Sequence, residues 1–296
     1  MTRSIPRGPV RGGWFVGLAV TLLILTAGAP RSAAVRPGIP DGRLLPPAPA
    51  ASEAPPGARP KEFDYTAFNA FLAKYLKGGL IDYAALKKDG GKDLDAIVQA
   101  MGRFPYRGMF VKEARVAFLI NAHNALAIQQ ALMAYPPARP DGGPKEIPGF
   151  FDKTTHPLDG GKFTLDQIET ELLAAISPRE PRFHLALCRA AIGAPPLRGH
   201  AFTADSLGLQ LENLSTLYAQ NRSLVRLSAT SDTLFLPEVY EWHRKDFEWG
   251  DQTLPRFMAP NFGLGEMMKM MQNEPVVVFR PLDWRLNDVR NAGTSR

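Results

Sequence analysis

The segment from Ala114 to Tyr135 constrains the fold more than any other part of this 296-residue chain. It reads ARVAFLINAHNALAIQQALMAY, and its apolar residues cover nearly the whole circumference of a helix. A helix that is apolar on all sides has to be covered by protein on all sides. The segment therefore predicts a buried central helix, which ends before Pro136 and Pro137 because proline cannot continue a helix.

The elements around this helix predict an α+β domain. Helices are expected over 64–76, 93–101, 203–221, 237–247 and 262–272 and from 164 onward, and strands within 151–163, 182–188, 224–236 and 276–280. These helices and strands do not alternate regularly, which argues against a doubly wound parallel sheet. We expect a mainly helical domain around a small, largely antiparallel sheet.

Local signals predict where several of these elements begin. The sequence DGG at 159–161 is typical of a tight turn between two strands. Thr164 and Gln167 have the spacing of a capping box, which indicates the start of a helix. Pro237 suits the first position of another helix, where its missing N–H costs nothing.

The net charge of +6 belongs to the N-terminal part of the chain. Residues 1–34 contain four arginines and no acidic residue, and residues 35–61 contain four basic and two acidic residues. Residues 62–296 contain 27 basic and 27 acidic residues, so this part is neutral. The main compositional argument for nucleic-acid binding is thereby removed, and we expect no nucleic-acid partner.

Residues 1–34 have the layout of a secretory signal peptide. Three arginines precede the uncharged apolar run 14–27, which is short for a membrane span. Small residues then allow cleavage after Ala34. We expect a secreted or periplasmic protein. An uncleaved N-terminal anchor is the alternative, and it is the only membrane contact that we expect.

Residues 35–61 are dense in proline, alanine and glycine. Such a segment cannot bury a core and is typical of a disordered linker. The predicted organisation is therefore a signal peptide over 1–34, a linker over 35–61 and a single domain over 62–296.

Six segments together resemble the bacterial domain-of-unknown-function family 547. In the family's order they are IDYAAL (81–86), AFLINAHNAL (117–126), FTLDQIE (163–169), PRFHLALCRAAIGAPPLRGHAFTADSL (181–207), EVYEWHRKDF (238–247) and VVVFRPLDWRLND (276–288). Family members are usually secreted or periplasmic, so the resemblance implies the same location. It implies a domain and a site, but no particular reaction.

The chain departs from the family pattern R-x-H-F-A-L-x-C-A-S-x-G-C-P-x-L in the central segment. Arg182 and His184 match it, whereas Arg189 and Ala194 stand where the family typically has cysteine. A histidine close to cysteines implies thiol chemistry or a disulfide in the family. Neither arginine nor alanine can serve either purpose, so the resemblance implies an altered site in this chain.

Cys188 is the only cysteine, which excludes an intramolecular disulfide and a site of several thiolates. It lies one position before the family cysteine. If 182–188 is a strand, His184 and Cys188 share one face of it but lie about 13 Å apart, beyond hydrogen-bond reach. If the segment is a helix, the two residues are adjacent, but its composition disfavours a helix. We interpret Cys188 as a buried, unreactive residue. A thiol hydrolase or transferase that uses His184 with Cys188 is the alternative.

The candidate ligand pocket combines polar residues of the matching segments. Its members are Asn121, Asn124, Glu169, Arg182, His184 and Arg189. The two asparagines share one side of the apolar helix and are expected to bind neighbouring backbone, with ligand contact as the alternative. Glu169 can pair with either arginine. The histidine is the best functional candidate, and a structural core histidine is an equal interpretation.

The sequence favours neither a metal site nor a cofactor. None of the five histidines has another three or four residues away, the spacing of helical metal ligands. His123 and His243 stand where the family usually has tyrosine. The aromatic residues of 240–247 are explained by a buried amphipathic helix, without a carbohydrate or nucleic-acid partner.

The leading hypothesis is a non-catalytic or altered member of the family. It would bind a small anionic ligand or an envelope protein, with Arg189 as a fixed positive charge, and no catalytic residue is assigned. Besides the thiol enzyme, a structural envelope protein held by its linker is the third hypothesis.

Overall fold

The structure is a computed structural model that describes residues 62–293. The predicted signal peptide and linker lie outside the described residues. Among residues 62–293, no helix combines the length and the apolar character that crossing a membrane requires.

Helices dominate the described region. The α-helices are α1 Thr66–Tyr75, α2 Tyr83–Ala85, α3 Gly91–Arg103, α4 Lys112–Met133, α5 Leu165–Gln167, α6 Ala174–Ile176, α7 Phe183–Ala186, α8 Leu207–Gln220, α9 Val239–Trp242, α10 Arg244–Phe247, α11 Leu254–Met258 and α12 Leu264–Asn273. Wider π turns cover Leu86–Gly90 and Ile168–Leu173, and 3₁₀ turns cover Tyr106–Gly108, Pro144–Glu146, Ala204–Ser206, Ala259–Asn261 and Val289–Asn291.

The strands within residues 62–293 form three small sheets. They are β1 Leu76–Lys77, β2 Leu80–Ile81, β3 His156–Leu158, β4 Gly161–Phe163, β5 Arg226–Leu227, β6 Thr233–Pro237 and β7 Val276–Arg280. Strands β1–β2, β3–β4 and β5–β6 pair antiparallel, and β6–β7 pair parallel. The prediction of a mainly helical α+β fold with largely antiparallel pairing is confirmed, with the strands divided among three sheets.

Helix α4 is the centre of the main core, as its sequence predicts. Nearly all its residues are buried, and it packs against α3 and the turns 168–173 and 204–206. Alanine leaves little side-chain volume on several of its faces, so neighbouring elements approach closely from more than one direction.

A second core lies around the three-stranded sheet and α9 to α12. Helix α7 lies between the two cores, because its Phe183 packs in the first and its Leu185 in the second. His184 therefore lies where the cores meet, and this junction holds the candidate site.

Two local predictions are confirmed. The DGG sequence joins β3 to β4, and Asp159 and Gly160 adopt φ values of 47° and 75°. At α5, the Thr164 hydroxyl accepts the Gln167 amide N–H, and the Gln167 side chain accepts the Thr164 N–H. Both features depend only on neighbouring residues, which explains why sequence predicts them.

The prediction of a strand over 182–188 is wrong. Residues Phe183–Ala186 form α7, and the following Leu187 is extended. A short apolar run has no periodicity that distinguishes a buried strand from a buried helical turn. The argument that placed His184 and Cys188 on one strand face therefore loses its basis.

The prediction of one helix from Pro237 to Phe247 is also wrong. Pro237 is the last residue of β6 and pairs with Arg280 of β7. The helical part is divided into α9 and α10 at His243, whose φ of −113° and ψ of 22° interrupt the helix. Trp242 is 39% exposed, so a buried amphipathic helix does not account for this aromatic residue.

Candidate functional site

Glu169 is the centre of a buried polar cluster. It lies on the π turn that follows α5, and its side chain is 2% exposed. Its carboxylate accepts hydrogen bonds from both terminal nitrogens of Arg189, with Nη1 at 2.7 Å from Oε2. Burial alone would raise the pKa of Glu169, but the Arg189 charge and the hydrogen bonds of two histidines hold it well below its usual range.

Arg189 is the cation of this cluster, and Glu169 already neutralises it. The side chain is 5% exposed and binds Glu169 in a bidentate way. Its guanidinium carbon lies 5.7 Å from the ring centroid of Trp242. Of the two pairings that the sequence left open for Glu169, the structure has the one with Arg189. The expectation that Arg189 offers a free positive charge to a ligand has to be revised accordingly.

His184 connects Glu169 with the surface. Its Nδ1 lies 2.7 Å from Glu169 Oε1, and its Nε2 lies 3.0 Å from Asp246 Oδ2. The histidine is buried, whereas the Asp246 side chain is 45% exposed. Burial lowers the pKa of His184, and the hydrogen bond and charge of Glu169 oppose that effect.

His243 completes the cluster and was not among the predicted site residues. Its ring stacks on that of His184 with 3.7 Å between centroids, and its Nε2 lies 3.1 Å from Glu169 Oε1. Its side chain is 12% exposed. Asp246 was not predicted either, and the signal that could have indicated both residues is the matching stretch EVYEWHRKDF, which contains them.

Three of these side chains have the composition of a metal site. The ligand atoms of Glu169, His184 and His243 lie within 4.8 Å of one another. However, Arg189 occupies both oxygens of the shared carboxylate, so a divalent cation would have to displace the guanidinium. The described donor set therefore fits an internal salt bridge better than it fits a metal ion.

The asparagines of α4 bind backbone, as expected for a buried helix. Asn121 exchanges two hydrogen bonds with the backbone of Phe202. Asn124 donates to the carbonyl of Ala186 at 2.9 Å and accepts from the N–H of Cys188 at 2.7 Å. Asn124 thereby holds the end of α7 and the residue before Arg189, which positions the cluster indirectly.

Arg182 lies apart from the Glu169 carboxylate. It pairs with Glu180 and Glu212 near the surface, with its Nη2 2.6 Å from Glu180 Oε2. Of the six predicted pocket residues, the structure brings Glu169, His184 and Arg189 together.

Cys188 has no hydrogen bond to His184 among the described contacts. Its sulfur accepts the Ala190 N–H at 3.4 Å and lies 3.9 Å from Nδ2 of Asn287. Burial raises the pKa of the thiol to about 11. Both ring nitrogens of His184 face carboxylates, so neither is free to remove the thiol proton.

An aromatic row leads from the cluster to the surface. The rings of Trp242 and Trp284 have centroids 5.6 Å apart, and Lys145 Nζ lies 5.2 Å from the centroid of Trp284. Arg189 and Lys145 thus lie at the two ends of a tryptophan pair. Gly143 lets the segment that carries Lys145 lie close to Trp284, because a Cβ at position 143 would lie 1.8 Å from the carbonyl oxygen of Trp284.

Comparisons with known proteins support the resemblance found in the sequence. The model of the family described as "Protein of unknown function, DUF547" matches residues 107–218, which include Glu169, His184 and Arg189. Neither the search of curated proteins nor the search of solved structures produced a match. The predicted family resemblance is confirmed over residues 107–218, which match the model of this family of proteins of unknown function.

Proposed function

We propose that this protein is a non-catalytic member of its family that binds a small anionic ligand outside the cytoplasm. The observation that carries the non-catalytic part of the proposal is the bidentate Arg189–Glu169 pair, which fills the centre of the cluster with two charges that neutralise each other. The resemblance places a cysteine at the position of Arg189. A guanidinium cannot act as a nucleophile, so the cluster has lost that chemistry.

The ligand contacts that we propose lie on the aromatic row and not on Arg189 itself. Trp242 is 39% exposed, and Lys145 is exposed and has no ion-pair partner among the described residues. An exposed indole face binds a ring, and an ammonium binds a carboxylate or phosphate. The arrangement favours a ligand that combines a ring with a negative charge.

Arg189 and the cluster then have a positioning role. Arg189 holds Glu169 and lies over the ring of Trp242, while His243 follows Trp242 directly in the chain. The salt bridge thereby orients the residues that line the proposed ligand site, and it keeps a buried charge compensated.

Thermal unfolding of the full chain tests the proposal. The probe is N-acetylmuramic acid, a pyranose with a carboxylate, and the neutral comparison is N-acetylglucosamine. At a concentration of about 100 times Kd, a ligand stabilises by about 2.7 kcal/mol, which corresponds to roughly 5–10 °C in Tm for a domain of this size. We expect the acid to raise Tm and the neutral sugar to raise it less.

Matched variants locate the site. Trp242→Ala and Lys145→Gln should abolish the shift, whereas Trp249→Ala should keep it, because Trp249 is similarly exposed but lies outside the aromatic row. Equal shifts in Trp242→Ala and Trp249→Ala would contradict the proposed site. An equal response to acid and neutral sugar would contradict an anionic ligand.

The proposed location rests on the sequence of residues 1–34. Expression with fractionation tests it: the mature protein should be found outside the cytoplasm and begin at Val35, which mass spectrometry of the N-terminal peptide reveals. A protein that keeps Met1 and stays in the cytoplasmic fraction would contradict secretion. One that keeps Met1 in the membrane fraction would favour the uncleaved anchor.

The second candidate function is that of a structural envelope protein, whose role depends on the linker over residues 35–61. Deletion of residues 35–61 distinguishes it from ligand binding. The ligand-binding proposal expects the deleted protein to keep the Tm shift, whereas a linker-dependent role expects loss of envelope partners with the domain intact.

A further inference from the structure

The three-stranded sheet has a free edge in the described part of the chain. Its order is β5-β6-β7, so β7 is bonded on one side only. The N–H of Val276 donates to the Asp232 carbonyl, and the N–H of Glu238 donates to the Arg280 carbonyl. Backbone groups alternate in direction along a strand, so those of Val277 and Phe279 point away from β6.

The outer face of β7 is apolar and exposed. Val276 is 69% exposed and Val278 is 40% exposed. Side chains alternate between the two faces of a sheet. Those of Val277 and Phe279 therefore lie on the opposite face and pack against the second core. A five-residue strand with exposed valines and unpaired backbone groups is a template for another strand.

Charge is distributed unevenly along this edge. Glu274 is exposed just before the strand, and Arg280 is exposed at its end. Within residues 62–293 neither side chain has a salt-bridge partner; Arg280 lies over the ring of Phe235, 5.4 Å from its centroid. The edge therefore runs from a negative end to a positive end. An antiparallel neighbour with the same sequence would place opposite charges together, whereas a parallel one would place like charges together.

We propose that the β7 edge pairs with the β7 edge of a second copy of this chain in an antiparallel, two-fold symmetric arrangement. Val278 of each copy lies at the symmetry axis, and Val277 of one copy exchanges two hydrogen bonds with Phe279 of the other. Symmetry repeats the exchange, which joins the two sheets into one. Arg280 of the second copy then lies opposite Val276, two positions from Glu274 and within reach of its carboxylate.

The outward backbone groups exclude a shift of one residue, and a shift of two residues would place Pro275 or Pro281, which lack an N–H, opposite an outward residue. Val277 and Phe279 are symmetric about Val278, so each outward residue meets an outward residue of the second copy. A shift of one residue would break the two-fold match. The interface is narrow, because one strand edge covers less than the roughly 1,200 Å² of a standard interface. The dimer should therefore be weak and depend on protein concentration.

Sedimentation equilibrium of the full chain over a range of concentrations tests the pairing. We expect a monomer–dimer equilibrium that salt weakens. Val278→Lys places two ammonium groups at the axis and should raise the dimer Kd by roughly fivefold. Leu217→Lys is the matched control, because Leu217 is an exposed apolar residue on α8 and not on β7, and it should leave Kd unchanged.

Charge-reversal variants and hydrogen exchange of backbone amides identify the register. Glu274→Arg and Arg280→Glu should each weaken the dimer by roughly two- to fivefold, and the double variant should restore it. The amides of Val277 and Phe279 should become protected as concentration rises. A monomer at all concentrations, an equal effect of Val278→Lys and Leu217→Lys, or a dimer in which these amides stay unprotected would overturn the proposal.

Discussion

Two buried polar regions of this protein use different chemistry. On α4, the amides of Asn121 and Asn124 bind backbone groups of neighbouring segments. In the cluster, the carboxylate of Glu169 binds the guanidinium of Arg189 and two imidazoles. The first region is neutral and enclosed. The second is charged and reaches the surface through Asp246.

The difference predicts how the stability of each region responds to a change of charge. Neutral amides that satisfy backbone groups have one arrangement, and their contribution does not change with pH. The members of the cluster compensate one another, so removal of a single charge changes the energy of all the others.

Removal of the carboxylate charge should have the largest effect. Glu169→Gln leaves Arg189 buried without its counter-ion, so the free energy of unfolding should fall by about 3–5 kcal/mol. Urea denaturation at pH 7 measures it. The double variant Glu169→Gln/Arg189→Met removes both charges and should recover most of the loss. A single-variant cost below about 1 kcal/mol would show that the pair is solvated, not buried.

Truncation of an amide on α4 should cost somewhat less. Asn124→Ala leaves the N–H of Cys188 and the carbonyl of Ala186 without partners and should lower the free energy of unfolding by about 2–4 kcal/mol. The cost should be the same at pH 5 and pH 8. Gln129→Ala, on the same helix but bound to Asp95 near the surface, should cost below about 0.5 kcal/mol. If the loss of unfolding free energy in Asn124→Ala depended markedly on pH, the two regions would not differ in the way described.

A buried histidine near the cluster should make stability depend on pH. Burial lowers the pKa of His123 to about 3, whereas in the unfolded chain it is near 6.5. The unfolded state therefore binds a proton between these values and the folded state does not. Stability is fully present above about pH 6.5 and falls by up to about 1.4 kcal/mol per pH unit as the pH decreases.

His123→Phe tests this contribution. Urea denaturation at pH 6 and pH 5 should show a loss that is about 1 kcal/mol smaller in the variant than in the unmodified chain. His184, whose pKa burial also lowers, contributes with the same sign and remains in both proteins. His200→Phe is the control for the replacement of a histidine by phenylalanine, because His200 is exposed. Equal slopes in all three proteins would contradict a buried neutral His123.

The smallest effect concerns the thiol. With a pKa of about 11, Cys188 is about one-thousandth thiolate at pH 8, and it is buried. Iodoacetamide should therefore modify the native protein far more slowly than the urea-unfolded protein, as intact mass measures. Cys188→Ala should keep the ligand-induced Tm shift. Rapid alkylation of the native protein would show that the thiol of Cys188 is accessible and reactive. It would then favour the alternative of a thiol hydrolase or transferase.

Sequence reasoning succeeded where neighbouring residues decide the outcome. The apolar circumference of α4, the capping box at Thr164 and the turn at Asp159 need no distant partner to be predicted. It failed over 182–188 and at Pro237, where packing against other elements selects between helix and strand. Among the site residues, it placed Glu169 near an arginine but could not choose which one.

The sequence by itself determined the mainly helical α+β class, the buried central helix and the family resemblance, because periodicity and ordered motifs carry them. Only the tertiary structure decided that Arg189 and not Arg182 neutralises Glu169, and that His243 stacks on His184. These contacts join residues far apart in the chain. The packing of the two hydrophobic cores against each other decides which of these residues come into contact. The spacing of residues along the chain does not encode that packing.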